Sequence, residues 1–201
     1  MMDFSKKKWI IFDLDGTIIK MGVDWPGCRK EVREVLLKKY PNLEIIFEKK
    51  ESELGKQNKK LTIELMGWLA YKELGCDVYG DFQSIQERYE TSYSLEQAKA
   101  YDNVVKFIKN NQAKFKYAIC SNNSLPGIEY TLNLFALLDK FSLIEARQVG
   151  RPLKPEPQIL ADILKKINLE KEEIFYVGDN DFTDRMLAES MGIDYLNYNQ
   201  I

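Results

Sequence analysis

The chain has no histidine among its 201 residues. That removes the commonest general base, the Ser-His-Asp triad and every histidine-ligated zinc site. Any hydrolytic chemistry falls to carboxylates, lysine, tyrosine or metal-bound water. Cysteine is scarce too. Cys28, Cys76 and Cys120 stand far apart, form no CxxC pair and read as free thiols, not as a disulfide framework. A dominant charge sign is also lacking: 29 Lys and Arg against 31 Asp and Glu leave a formal charge of −2. Such a balance offers no basic field for nucleic acid or an anionic membrane. Long apolar runs are missing. The first one, after Lys8, is broken by Asp13 and Asp15 well short of a signal peptide or membrane span. These absences lead us to expect a cytoplasmic protein. Asn122-Asn123-Ser124 matches a glycosylation acceptor, but no secretion signal gives it meaning.

Hydrophobic residues make up 45% of the chain, enough for a sizeable core. Lys8-Trp9-Ile10-Ile11-Phe12 is a short, nearly continuous apolar run rich in β-formers, as in a strand buried on both faces of a parallel sheet. Residues 117–120, 173–177 and 193–196 look similar, and 141–144 is a weaker candidate. Helices are expected from Ser124-Leu125-Pro126 onward, over 156–167 and over 182–190. Alternating strands and helices predict an α/β fold, a Rossmann-like doubly wound parallel sheet. Residues 20–97 break that rhythm. They show no convincing strand and predict helices over 27–39, 43–56, 59–74 and 81–94. The expected organisation is a core of residues 1–19 and 98–201 with an α-helical cap of residues 20–97 inserted after the first strand.

Chemistry concentrates where strands are expected to end. In Phe12-Asp13-Leu14-Asp15-Gly16-Thr17, two carboxylates two residues apart point to the same side of an extended chain. Acids this close repel, and hard oxygen ligands suit magnesium as the compensating ion. The alternative, a strand-ending turn that merely uses Asp, is poor for D-x-D-G-T after an apolar strand. Ser121-Asn122-Asn123 puts a hydroxyl and backbone amides after another strand, where they would hold phosphate oxygens or form a solvated turn. Lys154, stiffened by flanking prolines, would neutralise an anion or be a surface lysine before a helix. Gly178-Asp179 through Asp184 supplies further acids, for a cation site or for helix capping. Each of the last three is ambiguous alone. Their common position at strand ends matches where open α/β sheets bind ligands.

Together these segments resemble the haloacid dehalogenase-like superfamily, in the branch of phosphoglycolate phosphatase and β-phosphoglucomutase. Asp13-Leu14-Asp15-Gly16-Thr17 resembles its first motif, Ser121 the second, Lys154 the third and Gly178-Asp179 through Asp184 the fourth, in family order. The helical insert is similar to the family's small cap. Leu153 departs from the pattern, since relatives often place the lysine directly after the proline, and the extra residue is expected to shift that loop slightly.

The resemblance implies a phosphoric monoester hydrolase acting through an aspartyl-phosphate. Asp13 would be the nucleophile and Asp15 the general acid and base. Lys154 would balance charge, and Gly16, Thr17, Ser121, Asn122 and Lys154 would bind phosphate. Mg2+ would sit on Asp13, the Asp15 backbone carbonyl and Asp179, with Asp184 behind them. An acid at position 15 favours phosphate chemistry over carbon–halogen cleavage, where the leaving halide needs no proton. The implied partner is a small phosphorylated metabolite, without nucleic acid or membrane, and a monomer is compatible with all of this. Two other readings stay open: a phosphomutase, and a non-catalytic phosphate-binding or regulatory protein. Cap candidates for substrate contact are Lys20, Trp25, Arg29, Trp68, Tyr71, Tyr89 and Tyr93, each of which also fits a cap core or solvated surface.

Overall fold

The computed structural model describes residues 5–201; residues 1–4 of the expected core lie outside the described residues. Chain order is β1 (Trp9–Phe12), β2 (Ile19–Lys20), α1 (Trp25–Lys39), α2 (Leu43–Gly55), α3 (Ile63–Leu74), α4 (Tyr79–Glu90) and β3 (Lys99–Ala100). There follow α5 (Asp102–Asn110), β4 (Lys116–Cys120), α6 (Leu125–Leu134), β5 (Leu143–Glu145), α7 (Gln158–Ile167), β6 (Ile174–Gly178), α8 (Met186–Ser190) and β7 (Asp194–Asn197). Five of the strands form one sheet in the order β5-β4-β1-β6-β7, parallel throughout. This is the doubly wound α/β architecture the sequence predicts.

Side-chain alternation along the strands builds both faces. Ile10 and Phe12, Tyr117 and Ile119, and Phe175 and Val177 face one core, which Val104 and Ile108 of α5 and Ile128 and Leu132 of α6 complete. Ile11, Ala118, Cys120, Ile174 and Tyr176 face the other, closed by Ile159, Leu160 and Ile163 of α7 and Leu187 of α8. Phe12 pairs with Ile119 on one side and Val177 on the other, so β1, β4 and β6 end level. The chain leaves β1 to one side through β4 and β5, then returns to its other side through β6. The switch point therefore lies between β1 and β6.

The four helices between the linkers have their own core, in which Cys28, Val32, Leu36, Phe47, Met66, Ala70, Tyr79 and Phe82 are buried together. Capping explains two of their starts. The Asp24 side chain accepts from the Gly27 N–H with Pro26 in the first turn, and Thr62 accepts from the Leu65 N–H. The third helix begins at Ile63, not at 59, because that cap sits at Thr62. The fourth stops at Glu90 where 94 was expected.

Three features have no counterpart among the elements expected from the sequence. One is helix α5. Another is the antiparallel pair β2–β3, which joins the two linkers through Ile19 with Ala100 and Lys20 with Lys99. The third is a π-helical turn over Asp181–Arg185 at the start of the expected 182–190 helix. The weak strand candidate at 141–144 is displaced to Leu143–Glu145. Among the described residues, no helix is long and apolar enough to cross a membrane.

Candidate active site

The level strand ends bring the acids together. Asp13 follows β1 directly, and its N–H donates to the Val177 carbonyl at 2.9 Å. Asp179 follows β6. Gly16 has φ +84°, and a Cβ there would lie 2.5 Å from the Asp179 carboxylate, so only glycine lets the two loops approach. A Cβ on Gly178 would lie 2.5 Å from Asp184, for the same consequence on the other side of the loop.

Lys154 is the hub. Its buried ammonium donates to Asp13 Oδ1 at 2.8 Å, Asp184 Oδ1 at 2.7 Å and the Cys120 carbonyl at 3.1 Å. The Tyr176 hydroxyl lies 3.3 Å from the same nitrogen and 3.2 Å from Asp184 Oδ1. Burial works to lower the lysine's pKa, but the carboxylates of Asp13 and Asp184 outweigh it, and the group stays protonated. The loop carrying Lys154 is fixed by Asn122. Its Oδ1 accepts from the Lys154 N–H at 2.8 Å and its Nδ2 donates to the Lys154 carbonyl at 3.4 Å. The extra Leu153 is buried in the helical core, against Gly67 of α3. The insertion thus supplies a contact between the two parts.

Asp13, Asp179 and Asp184 each present a carboxylate oxygen within 4.8 Å of the others. Three carboxylates around one ammonium leave two negative charges unmatched, and an all-oxygen donor set suits a hard divalent cation. Both oxygens of Asp184 are already engaged, Oδ1 by Lys154 and Oδ2 by the Asn180 N–H at 3.1 Å. That places Asp184 behind the other two. Burial, opposed by Lys154 and reinforced by Asp184 and Asp179, holds the Asp13 carboxyl well above the usual range in the absence of a cation. Asp179 opens to the cavity, yet desolvation by the surrounding protein and repulsion from Asp184 push it up to about 6.

Asp15 sits apart from Lys154. Its Oδ1 accepts from the Met21 N–H and its Oδ2 from the Trp25 indole, both at 2.8 Å. Burial pushes its carboxyl up to about 7 despite those two donors. Trp25 is the first residue of α1, so the helical unit reaches the acid directly.

These groups line a cavity of about 440 Å3. Asp13, Asp15, Gly16, Ser121, Asn122, Lys154 and Asp179 all border it. Of the cap candidates, Lys20, Trp25 and Arg29 border it, whereas Trp68, Tyr71, Tyr89 and Tyr93 do not. Trp68 instead donates to Glu156 at 2.9 Å and packs edge-on against Phe182. Thr17 is fully buried, borders no part of the cavity, and its hydroxyl has no partner. Sequence reasoning missed Tyr176, Thr62 and Glu64, while Asn123, part of the expected turn, also borders the cavity. Only Tyr176 carried a signal, as a polar group inside an otherwise apolar strand beside the fourth motif.

An acidic, lysine-braced cavity over the switch point of a doubly wound sheet lies where α/β proteins of this class bind their ligands. Residues 10–198 match the haloacid dehalogenase-like hydrolase family, and the chain belongs to it. It is 25% identical over 175 residues to the pyrophosphatase PpaX of Halalkalibacterium halodurans, covering 85% of this chain and 74% of that protein. Its fold is similar to that of a predicted phosphoglycolate phosphatase from Haemophilus somnus, with a TM-score of 0.57 at 21% identity over 98% of this chain and 90% of that one. It is also similar to YfnB from Bacillus subtilis, whose structure is bound to magnesium, with a TM-score of 0.54 at 16% identity over 94% and 87%.

Proposed function

We propose that the protein is a magnesium-dependent phosphatase that hydrolyses a small phosphorylated metabolite through an aspartyl-phosphate on Asp13. The observation that carries this reading is the Lys154 ammonium, held 2.8 Å from Asp13 and 2.7 Å from Asp184 beside a 440 Å3 cavity. In the first step an Asp13 oxygen attacks phosphorus as the ester P–O bond breaks, and Asp15 gives its proton to the leaving oxygen. In the second, Asp15 takes a proton from water as that water attacks the phosphoryl group, and Asp13 leaves as a carboxylate. A carboxyl near 7 serves both directions. Lys154 and the Ser121–Asn122 turn, with Gly16, hold phosphoryl oxygens. Thr17, buried and away from the cavity, is not among them.

Magnesium held by Asp13, Asp179 and the Asp15 carbonyl would offset the negative charge of nucleophile and ester. In this reading residues 20–97 act as a cap over the core of residues 1–19 and 98–201, and the protein works on a soluble metabolite in the cytoplasm. The phosphatase and pyrophosphatase names of the relatives support the class of reaction. The test is a screen of phosphorylated metabolites and pyrophosphate with and without magnesium. Magnesium-dependent phosphate release is expected. An isomer without free phosphate would mark a mutase, and no turnover of any substrate would overturn the reading.

A further inference from the structure

A second charged centre lies behind the phosphate-binding turn, and the mechanism above does not use it. Glu90, the last residue of α4, and Arg147, just after β5, form an ion pair at 3.3 Å with both side chains fully buried. The contact is bidentate, with Nη1 to Oε1 and Nη2 to Oε2. Glu90 Oε2 also accepts from the Ser124 N–H at 2.9 Å and the Ser124 hydroxyl at 2.6 Å. The Arg147 N–H donates to the Asn123 carbonyl at 3.1 Å. Asn123, Ser124, Glu90 and Arg147 therefore close a ring that holds the far half of the 121–124 turn, while Lys154 holds the near half through Asn122.

Energetics argue against a purely structural purpose. Desolvating two charges costs about what their attraction returns, and an apolar pair of similar volume is often as stable or more so. One turn earlier on the same helix, the Gln86 carboxamide is buried with neither polar atom paired, a further cost that packing alone does not explain. The fit is also tight. A Cβ on Gly127 would meet Glu90 at 2.9 Å, so the first turn of α6 has given way to the carboxylate.

We infer that Glu90 is a positioning residue, which with Arg147 fixes the 121–124 turn in its phosphate-binding geometry and ties that geometry to the seating of α4. The inference rests on the proposed role of the turn in holding phosphate. Glutamine cannot replace it well. With its oxygen toward Ser124 its amide meets the guanidinium, and with the amide reversed it faces two donors.

The experiment measures inorganic phosphate affinity with magnesium by calorimetry, alongside Tm and turnover of an aryl phosphate. Glu90→Gln is expected to weaken phosphate binding about tenfold. The apolar pair Glu90→Leu/Arg147→Met is expected to recover Tm yet keep the weak phosphate binding, which a merely structural role would not do. Should Glu90→Gln fail to fold, Ser124→Ala opens the ring more gently and is expected to weaken phosphate about threefold. Phosphate affinity within twofold of wild type in the folded variants, or affinity recovered together with Tm in the apolar pair, overturns the inference. Wild-type phosphate binding without turnover would sink the phosphatase reading alone. No phosphate binding by the wild type would sink both.

Discussion

The sheet edge and the helical unit above it use similar residues to different ends. At the edge, charges are buried and converge: Lys154 pairs with both Asp13 and Asp184, and its removal would strand two buried carboxylates. In the helical unit most charges are exposed and pair locally, as in Arg33 with Glu51, Lys39 with Asp81, and Arg88 with Glu31. Such surface pairs contribute little. The exceptions lie where the unit meets the core. Trp25 bonds Asp15, Trp68 bonds Glu156, and Glu90 pairs with Arg147. Buried charge thus concentrates at the sheet edge, and the helical unit reaches the cavity through a few side chains, Trp25, Arg29 and Glu64 among them.

Four tests probe that contrast, in falling order of effect. Asp13→Asn removes the proposed nucleophile and should cut turnover on the order of 10^4-fold or more. Steady-state assays with an aryl phosphate check it, and near-normal turnover would break the contrast at once. Lys154→Met strands two buried carboxylates and should destabilise the fold by about 3–5 kcal/mol, read by denaturant unfolding. A loss below about 1 kcal/mol, as for a surface pair, would show that the hub is not buried charge in solution.

The third concerns pH. The Asp15 carboxyl is raised from 3.8 to about 7 by burial, so the folded state holds its proton more tightly than the unfolded state. Its contribution to stability is complete below the unfolded value and is lost as pH rises through about 7. Without added metal, wild-type Tm should fall more steeply between about pH 4 and pH 7 than that of Asp15→Asn. Parallel curves would remove the basis for Asp15 as an acid near neutrality. The fourth separates crossing from non-crossing residues of the helical unit. Trp25→Phe loses the indole donor to Asp15 and should slow turnover up to about tenfold. Tyr71→Phe, outside the cavity, should stay within about twofold of wild type. Equal effects in the two would erase the distinction.

The same contrast explains what was legible in the sequence. β1, β4 and β6 are buried on both faces, so their apolar runs announce them. The acids at their ends stand in short motifs whose spacing survives in a string of letters. Two-residue strands such as β2 and β3 have no periodicity to detect, and they exist because the two linkers meet in space. Asp184 looked like an N-cap or a distant helper, because nothing in the sequence shows that a π-helical turn directs it to Lys154. Tyrosines and tryptophans at helical spacing gave no way to choose Trp25 over Trp68, since that choice depends on how the helical unit seats on the sheet. Glu90 and Arg147 are 57 positions apart and carry no motif.

Mass spectrometry of acid-quenched protein would read the proposed covalent phosphoryl group on Asp13 itself. Asp15→Asn, incubated with magnesium and an aryl phosphate, should accumulate one phosphoryl group on the peptide containing Asp13, because the second step lacks its base. A variant that releases the aryl alcohol at the wild-type rate while that peptide stays unmodified would contradict the account.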